Sequence, residues 1–212
     1  MPFMAAMSMN KVIHGAFRRD VQRFISAFEQ FPAGNKTRAR QLSAAWENFD
    51  DQLNHHHTGE HEIAWPHLKA IGVSADLLAT MDAEHDAMAV AIGGTREAIK
   101  ALVITASVED ASAATAAMQE LQTVMTTHLD HEEEEFEPVY LANVDNPEIK
   151  EMGKKFSKVS PARGGRFFAW IMDGATPSER EVVTANVPGP VLAVISGIWG
   201  RGYRKNIAPV WR

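Results

Sequence analysis

Four long stretches of the sequence repeat apolar residues at alternating steps of three and four, the pattern of amphipathic helices. In the first, over residues 7–31, positions on one face lie seven apart at Met7, His14, Val21 and Phe28. No strand-like alternation in the sequence is long enough to compete. The sequence therefore predicts an all-α fold.

The other three stripes are separated by short connections. The second begins at Leu42, and the third and fourth follow Ser74 and Ser107, which suit N-cap positions. Short connections make neighbouring helices antiparallel. We therefore predict an up-down-up-down four-helix bundle over residues 1–144. Residues 145–212 are expected to form an extension of short helices that packs on the bundle or makes an oligomer contact.

Each predicted helix carries a histidine on its apolar stripe, and two helices add a glutamate one turn later. The set is His14, His56 with Glu60, His85, and His128 with Glu132. Counted from turns near residues 33, 72 and 107, all six lie at about the same height, because a helix rises ~1.5 Å per residue. A single core histidine is commonly just hydrogen-bonded, so the agreement of four helices carries the prediction.

This set has the chemistry of a metal site. Residues four apart share a helix face, so His56 with Glu60 and His128 with Glu132 each present an imidazole beside a carboxylate. Buried carboxylates are costly unless cations or donors compensate their charge. Two carboxylates can bridge two cations while imidazoles bind the outer positions. The chain has no cysteine, so all metal ligands must be nitrogen or oxygen, which suits iron, manganese or zinc.

The order of these motifs resembles the hemerythrin-like, or HHE cation-binding, proteins. The resemblance covers about residues 7–143, and HHHTGEHEIAWPHL and HLDHEEEEFEP look like that family's second and fourth helices. It implies an oxo- or hydroxo-bridged di-iron centre that binds or reacts with dioxygen, hydrogen peroxide or nitric oxide. Storage, sensing or peroxide detoxification would follow, with catalase-like consumption of peroxide as the candidate enzymatic activity.

One position departs from the family pattern. Oxygen-carrying hemerythrins have a His-x-x-x-His pair on the third helix, but this chain has Met81 four residues before His85. The coordination position that the missing histidine would occupy is either open or filled by His57 or a neighbouring carboxylate. An open position favours reaction of the bound molecule over its reversible carriage. His131 with Glu135 repeats the spacing of the fourth-helix pair, although the stripe through Leu121 and Met125 favours His128.

The remaining histidines and glutamates of these motifs are expected at the surface. Consecutive helical residues point about 100° apart, so the histidine before His56 should face solvent. The residues expected in solvent are His55, His61, His67, Glu133 and Glu134, and for His61 and His67 the alternative is a hydrogen bond to a metal ligand.

Two rival interpretations use the same bundle. Ferritin-like di-iron oxidases need Glu-x-x-His on two helices, and no histidine of this sequence has a glutamate three residues before it. A zinc- or manganese-binding bundle without redox activity, acting as a regulator or interaction module, remains the alternative.

Charge separates the tail from the bundle. Residues 1–144 carry 10 Lys and Arg against 21 Asp and Glu, net −11, whereas residues 145–212 carry 11 against 6, net +5. Such a tail docks more simply on the acidic body than on nucleic acid. Its apolar patches, Phe167–Met172 and Val191–Trp199, predict helices that cover the metal site, form a homodimer contact or, as a weaker alternative, touch a membrane surface.

The sequence predicts a cytoplasmic protein without a membrane span. Its first residues lack the basic leader and long apolar stretch of a secretory signal. Its longest apolar stretch in the tail is interrupted by prolines and glycines and is too short to cross a bilayer as a helix.

Overall fold

The computed structural model describes residues 7–212, and this range is helical with no strand. The all-α prediction is therefore confirmed. The helices are α1 Met9–Glu29, α2 Lys36–Gly59, α3 Trp65–Ala70, α4 Ala75–Thr105, α5 Val108–Ala142, α6 Pro147–Phe156, α7 Pro161–Ile171, α8 Pro177–Asn186, α9 Gly189–Trp199 and α10 Arg201–Asn206. A 3-10 turn, Ala208–Trp211, follows α10.

The four long helices α1, α2, α4 and α5 pack around one apolar core. The stripes read from the sequence supply it: Phe17, Phe24, Phe49, Met118 and Leu121 are all completely or almost completely buried. This packing fits a bundle, while the up-down-up-down order of the helices stays a prediction.

The helix starts follow the predicted caps. The Ser74 hydroxyl accepts a hydrogen bond from the backbone N–H of Asp76, and the Ser107 hydroxyl accepts one from Asp110. Each bond satisfies an amide that the first turn of a helix leaves without a partner. Both predicted starts are therefore confirmed.

The second stripe is not one continuous α-helix. After α2 the chain forms a π-helical turn, Glu60–Ala64, and then continues through Pro66 as α3. Proline fits there because it lies in the first turn of α3. A π turn inserts an extra residue into the helical path and commonly occurs at functional sites. Here it begins at a predicted ligand, Glu60.

The tail is joined to the bundle through a buried tryptophan. Trp170 of α7 is completely buried, and its Nε1–H donates to Oδ2 of Asp20 at 2.7 Å. The other carboxylate oxygen of Asp20 accepts from Arg19 at 2.9 Å and Arg23 at 3.0 Å. The Trp170 ring lies 5.0 Å from the ring of Phe17. Bundle and tail thus share one apolar core.

A second tail helix, α6, approaches the end of α2. A Cβ added to Gly59 would lie 2.8 Å from Cε1 of Phe156, so only glycine allows the ring to lie there. Because Gly59 precedes Glu60, the tail adjoins the segment that carries a predicted ligand. The division of the chain into two parts at residue 144 stays a prediction. Residues 1–6 of the predicted bundle lie outside the described range.

Among the described residues, no single helix has both the length and the apolar content to cross a membrane. The pair α8 and α9 meets those criteria only together, and it is bent by 102°.

Candidate metal centre

The structure brings all six predicted residues into one layer of the bundle and adds His57. Their ligand atoms form two groups, and within each group all atoms lie within 4.8 Å of one another. The His85 group consists of His57, Glu60, His85 and His128, and the His14 group consists of His14, His56, Glu60 and Glu132. Because Glu60 belongs to both groups, the layer can hold two cations that share its carboxylate.

The His85 group is closely packed. Nε2 of His85 lies 3.0 Å from Nε2 of His128 and 3.4 Å from Oε2 of Glu60. The ring of His57 stacks on the ring of His85 with centroids 4.1 Å apart. Three imidazoles from α2, α4 and α5 therefore meet one oxygen of Glu60.

The His14 group has a similar geometry with one more carboxylate. Nε2 of His14 lies 3.2 Å from Oε2 of Glu132, and Nε2 of His56 lies 3.0 Å from Oε1 of Glu60. The same oxygen of Glu132 is 3.7 Å from Nε2 of His128 in the other group. Both glutamates thus lie between the two groups.

Several of these buried atoms have no protein partner. Within residues 7–212, no hydrogen bond satisfies Nε2 of His56, Nε2 of His57, either oxygen of Glu60 or Oε2 of Glu132. His56 and Glu60 are close enough for a hydrogen bond but are not aligned as one. Buried polar groups are normally satisfied, so this cluster is a cost that bound cations would remove. The residues present therefore fit a metal pair.

The nitrogen spacing agrees with that fit. Two ligand atoms about 2.1 Å from one cation, at right angles, lie about 3.0 Å apart. Nε2 of His85 and Nε2 of His128 have this separation. Without a cation or proton between them, the lone pairs of two neutral imidazoles at this distance would repel.

Acidic side chains hold two of these imidazoles from behind. Glu84 lies 2.9 Å from Nδ1 of His128 and 2.7 Å from Nδ1 of His131. Glu133 lies 3.0 Å from Nδ1 of His14 and accepts from Arg18 at 2.6 Å. A carboxylate at Nδ1 fixes the tautomer that leaves Nε2 free to bind a metal.

A third carboxylate lies near His85. Oδ1 of Asp82 accepts from Nε1 of Trp65 at 2.8 Å and lies 4.0 Å from Nδ1 of His85. The Trp65 ring is nearly parallel to the His85 ring, 9° between planes, with centroids 6.1 Å apart. Trp65 thus holds both the His85 ring and the acid beside it.

The pKa values of two histidines in this layer, one from each group, are shifted in opposite directions. Burial alone would lower the pKa of His14, but the Glu132 carboxylate, with Glu133 and Glu60, outweighs it and raises the pKa to about 9. Burial and the neighbouring His85 hold the pKa of His57 well below its usual value. Burial would raise the pKa of Glu60, but His56 and the other imidazoles hold it well below its usual range. Glu60 is therefore a carboxylate, the form that binds cations.

Two sequence expectations need revision, and one open alternative gains support. His57, named only as an alternative, joins the His85 group. Glu133, expected in solvent, is held beside His14 by Arg18. His67, expected at the surface, is buried, because α6 packs on α3 and brings Glu148 within 2.6 Å of its Nδ1.

Other expectations hold. The side chains expected in solvent that the structure does expose are His55, His61 and Glu134. A sequence signal for His57 existed: it lies three residues before Glu60, as His56 lies four before it, so both can meet one carboxylate from neighbouring faces.

Comparison with known proteins gives one match. The family model described as the hemerythrin HHE cation binding domain matches residues 9–140. No curated protein and no solved structure gives a significant match to the chain. The matched range covers α1 to α5 up to Tyr140 and contains all seven residues of the two groups, which confirms the resemblance seen in the sequence.

Proposed function

Because this chain belongs to the hemerythrin HHE cation-binding family, we propose that its bundle holds two iron ions and binds or transforms a small oxygen-derived or nitrogen-oxide molecule. The observation that carries the proposal is the pair of four-residue groups that share Glu60. A pair of adjacent cations can bind such a molecule together, and one shared carboxylate would set the two cations side by side.

The seven side chains would divide between the two cations. His57, His85 and His128 would bind one, and His14 and His56 the other, with Glu60 and Glu132 between them. Glu84 and Glu133 would keep two of the imidazoles in the tautomer that presents Nε2. Bound iron would supply open coordination positions and one-electron redox chemistry.

The donor count favours a small ligand. The five imidazoles and two carboxylates would leave coordination positions open on two iron ions. The surroundings limit what can reach them, since His14, Glu60, His128 and Glu132 are each at most 3% exposed. Dioxygen, hydrogen peroxide and nitric oxide are of suitable size.

Peroxide consumption is the enzymatic activity that we propose for this centre. In that reaction two hydrogen peroxide molecules yield two water molecules and one dioxygen. The chain's part is to bind and orient the cations, to exclude bulk water from the layer, and to keep the Glu60 carboxylate ionised beside five imidazoles.

The test compares the native chain with His56→Ala and His55→Ala. Each protein is loaded with ferrous iron, freed of excess metal, and measured for iron content, near-ultraviolet absorption and oxygen release after adding peroxide. We expect about two irons per native chain and absorption bands that respond to peroxide. In His56→Ala we expect a loss of bound iron together with the loss of those bands. His55→Ala should behave as native, because that side chain is exposed and outside both groups.

Two results would contradict the proposal. Iron content and spectrum unchanged in His56→Ala would remove this residue from the site. A fully iron-loaded native chain whose spectrum is unaffected by peroxide, dioxygen and nitric oxide would leave metal binding but withdraw the redox function.

A zinc- or manganese-binding regulatory bundle is the second candidate. Each group contains four protein ligands, the number that closed structural zinc sites use. A colourless protein that holds zinc in preference to iron, and that consumes no peroxide in either form, would favour this role.

A further inference from the structure

Helix α9 presents an apolar face to solvent. Val191, Val194, Ile198 and Trp199 are between 42% and 56% exposed. The spacing of three and four residues places Val191, Val194 and Ile198 on one side of the helix. Trp199 follows Ile198 directly and lies at the edge of this side. The side that packs on α7 carries Leu192, which is buried, and it also carries the Cβ of Trp199, which would lie 2.5 Å from a Cβ added to Gly165 of α7.

Neighbouring residues extend this face. A Cβ added to Gly164 would lie 3.6 Å from Cγ2 of Val159 and 3.9 Å from Cγ2 of Ile195, so these two side chains flank the same glycine. Val159 is itself 39% exposed. We call the surface formed by Val159, Val191, Val194, Ile195, Ile198 and Trp199 the α9 face.

Positive charge adjoins the α9 face without compensation. Residues 182–212 contain no Asp or Glu, and their charged residues are Arg201, Arg204, Lys205 and Arg212. Arg204 donates to the carbonyls of Ser196 and Gly197 at the end of α9. In the described part of the chain, Arg201 and Lys205 are exposed and form no ion pair.

We propose that the α9 face docks on an anionic lipid surface. An exposed apolar helix face bordered by a tryptophan and followed by cations combines the two side-chain types that bind the headgroup region of a bilayer. Anionic headgroups complement Arg201 and Lys205, while the apolar side chains enter the acyl boundary. The contact is peripheral, because α9 has only 11 residues and remains packed on α7.

A second copy of the chain fits this face less well. In an isologous contact the same surface meets itself, so two sets of Arg201 and Lys205 would border one interface with no carboxylate from α9 or α10 to pair with them. The area is also small. The α9 face presents on the order of 400 Å² of apolar surface, whereas a stable dimer buries roughly 800 Å² on each partner.

The acidic bundle makes the proposal specific. Residues 1–144 carry a net charge of −11, so an anionic surface repels the body of the molecule and attracts its tail. Binding should therefore need both the α9 apolar side chains and the tail cations, and it should weaken with added salt.

The experiment is cosedimentation of the full chain with vesicles of phosphatidylcholine alone and of equal parts phosphatidylcholine and phosphatidylglycerol. We expect binding to the second kind and little to the first. Val194→Ser/Ile198→Ser should weaken binding about tenfold or more because two apolar contacts are lost. Arg201→Ala/Lys205→Ala should weaken it by roughly tenfold.

The matched control is Val90→Ser/Ile104→Ser, which removes two apolar side chains of α4 that are 77% and 73% exposed and lie in the bundle. It should bind as native, and circular dichroism should show all variants folded. The proposal is overturned if native protein fails to bind anionic vesicles, or if the α9 variant binds as well as the control. A concentration-dependent dimer that Val194→Ser/Ile198→Ser abolishes would assign the face to a second copy and also overturn it.

Discussion

Replacing Glu84 by glutamine should weaken metal binding although Glu84 is not itself a proposed ligand. Its two carboxylate oxygens face Nδ1 of His128 at 2.9 Å and Nδ1 of His131 at 2.7 Å. An amide has one acceptor oxygen and one NH2 group, so Glu84→Gln can accept from only one imidazole. The other must move or change tautomer, and for His128 the second tautomer protonates Nε2, the atom that should bind the cation.

The expected loss follows from this geometry. Removing a partner that orients a metal-bound histidine typically lowers affinity 10–100-fold, which corresponds to about 1.4–2.7 kcal/mol. Since the Glu84 side chain is 27% exposed, water can replace part of the lost bond. We therefore expect a result nearer the lower end of that range.

The assay is a competition titration against a chelator of known affinity, with Glu134→Gln as the control. Glu134 is exposed and belongs to the acidic run on α5, so its replacement removes the same charge without touching a proposed ligand. Equal affinities for Glu84→Gln and Glu134→Gln would refute the reasoning, because the loss would then be a general charge effect or absent.

Three further predictions test other parts of the structure. His57→Ala should reduce bound metal from about two ions per chain towards one, measured by elemental analysis, whereas full occupancy would exclude His57 as a ligand. Trp170→Ala should lower the free energy of unfolding by about 3–5 kcal/mol in urea denaturation, because a completely buried ring is lost. The control Trp199→Ala, at a partly exposed position, should change it by less than about 1 kcal/mol. Similar losses in the two variants would contradict the buried docking of α7. Chelation should lower the thermal midpoint by roughly 5–10 °C, because free metal at about 100 times its Kd stabilises the folded chain by about 2.7 kcal/mol. An unchanged midpoint would mean that no cation stabilises the layer.

The helices and most of the site follow from the sequence because their signals are local. Apolar spacing and the serine caps at Ser74 and Ser107 identify helices within a few residues. The height of each ligand follows from counting along helices of known rise, so His14 and His85 could be placed in one layer although 71 residues separate them.

The remaining features depend on contacts that no local pattern records. Glu84 is 44 residues from His128, and Trp170 is 150 residues from Asp20. No periodic pattern in the sequence indicates either pair of residues. The sequence of the acidic run on α5 also does not show which of its glutamates faces inward. Glu133 was therefore assigned wrongly, since its partners His14 and Arg18 lie on α1.

Consecutive histidines posed a different problem. A helix stripe selects one face, so it favours His56 and leaves His57 as a second candidate. The structure uses two faces of α2 at this point, with His56 in the His14 group and His57 in the His85 group. The sequence does not specify this arrangement, because the side chains that complete the His85 group come from α4 and α5.

The proposed site has one cation on each side of Glu60. This can be tested by X-ray anomalous scattering from crystals of the iron-loaded chain, recorded above and below the iron absorption edge. We predict two iron peaks, one within the His85 group and one within the His14 group, with Glu60 between them. A single peak, or peaks away from these seven side chains, would contradict the paired site.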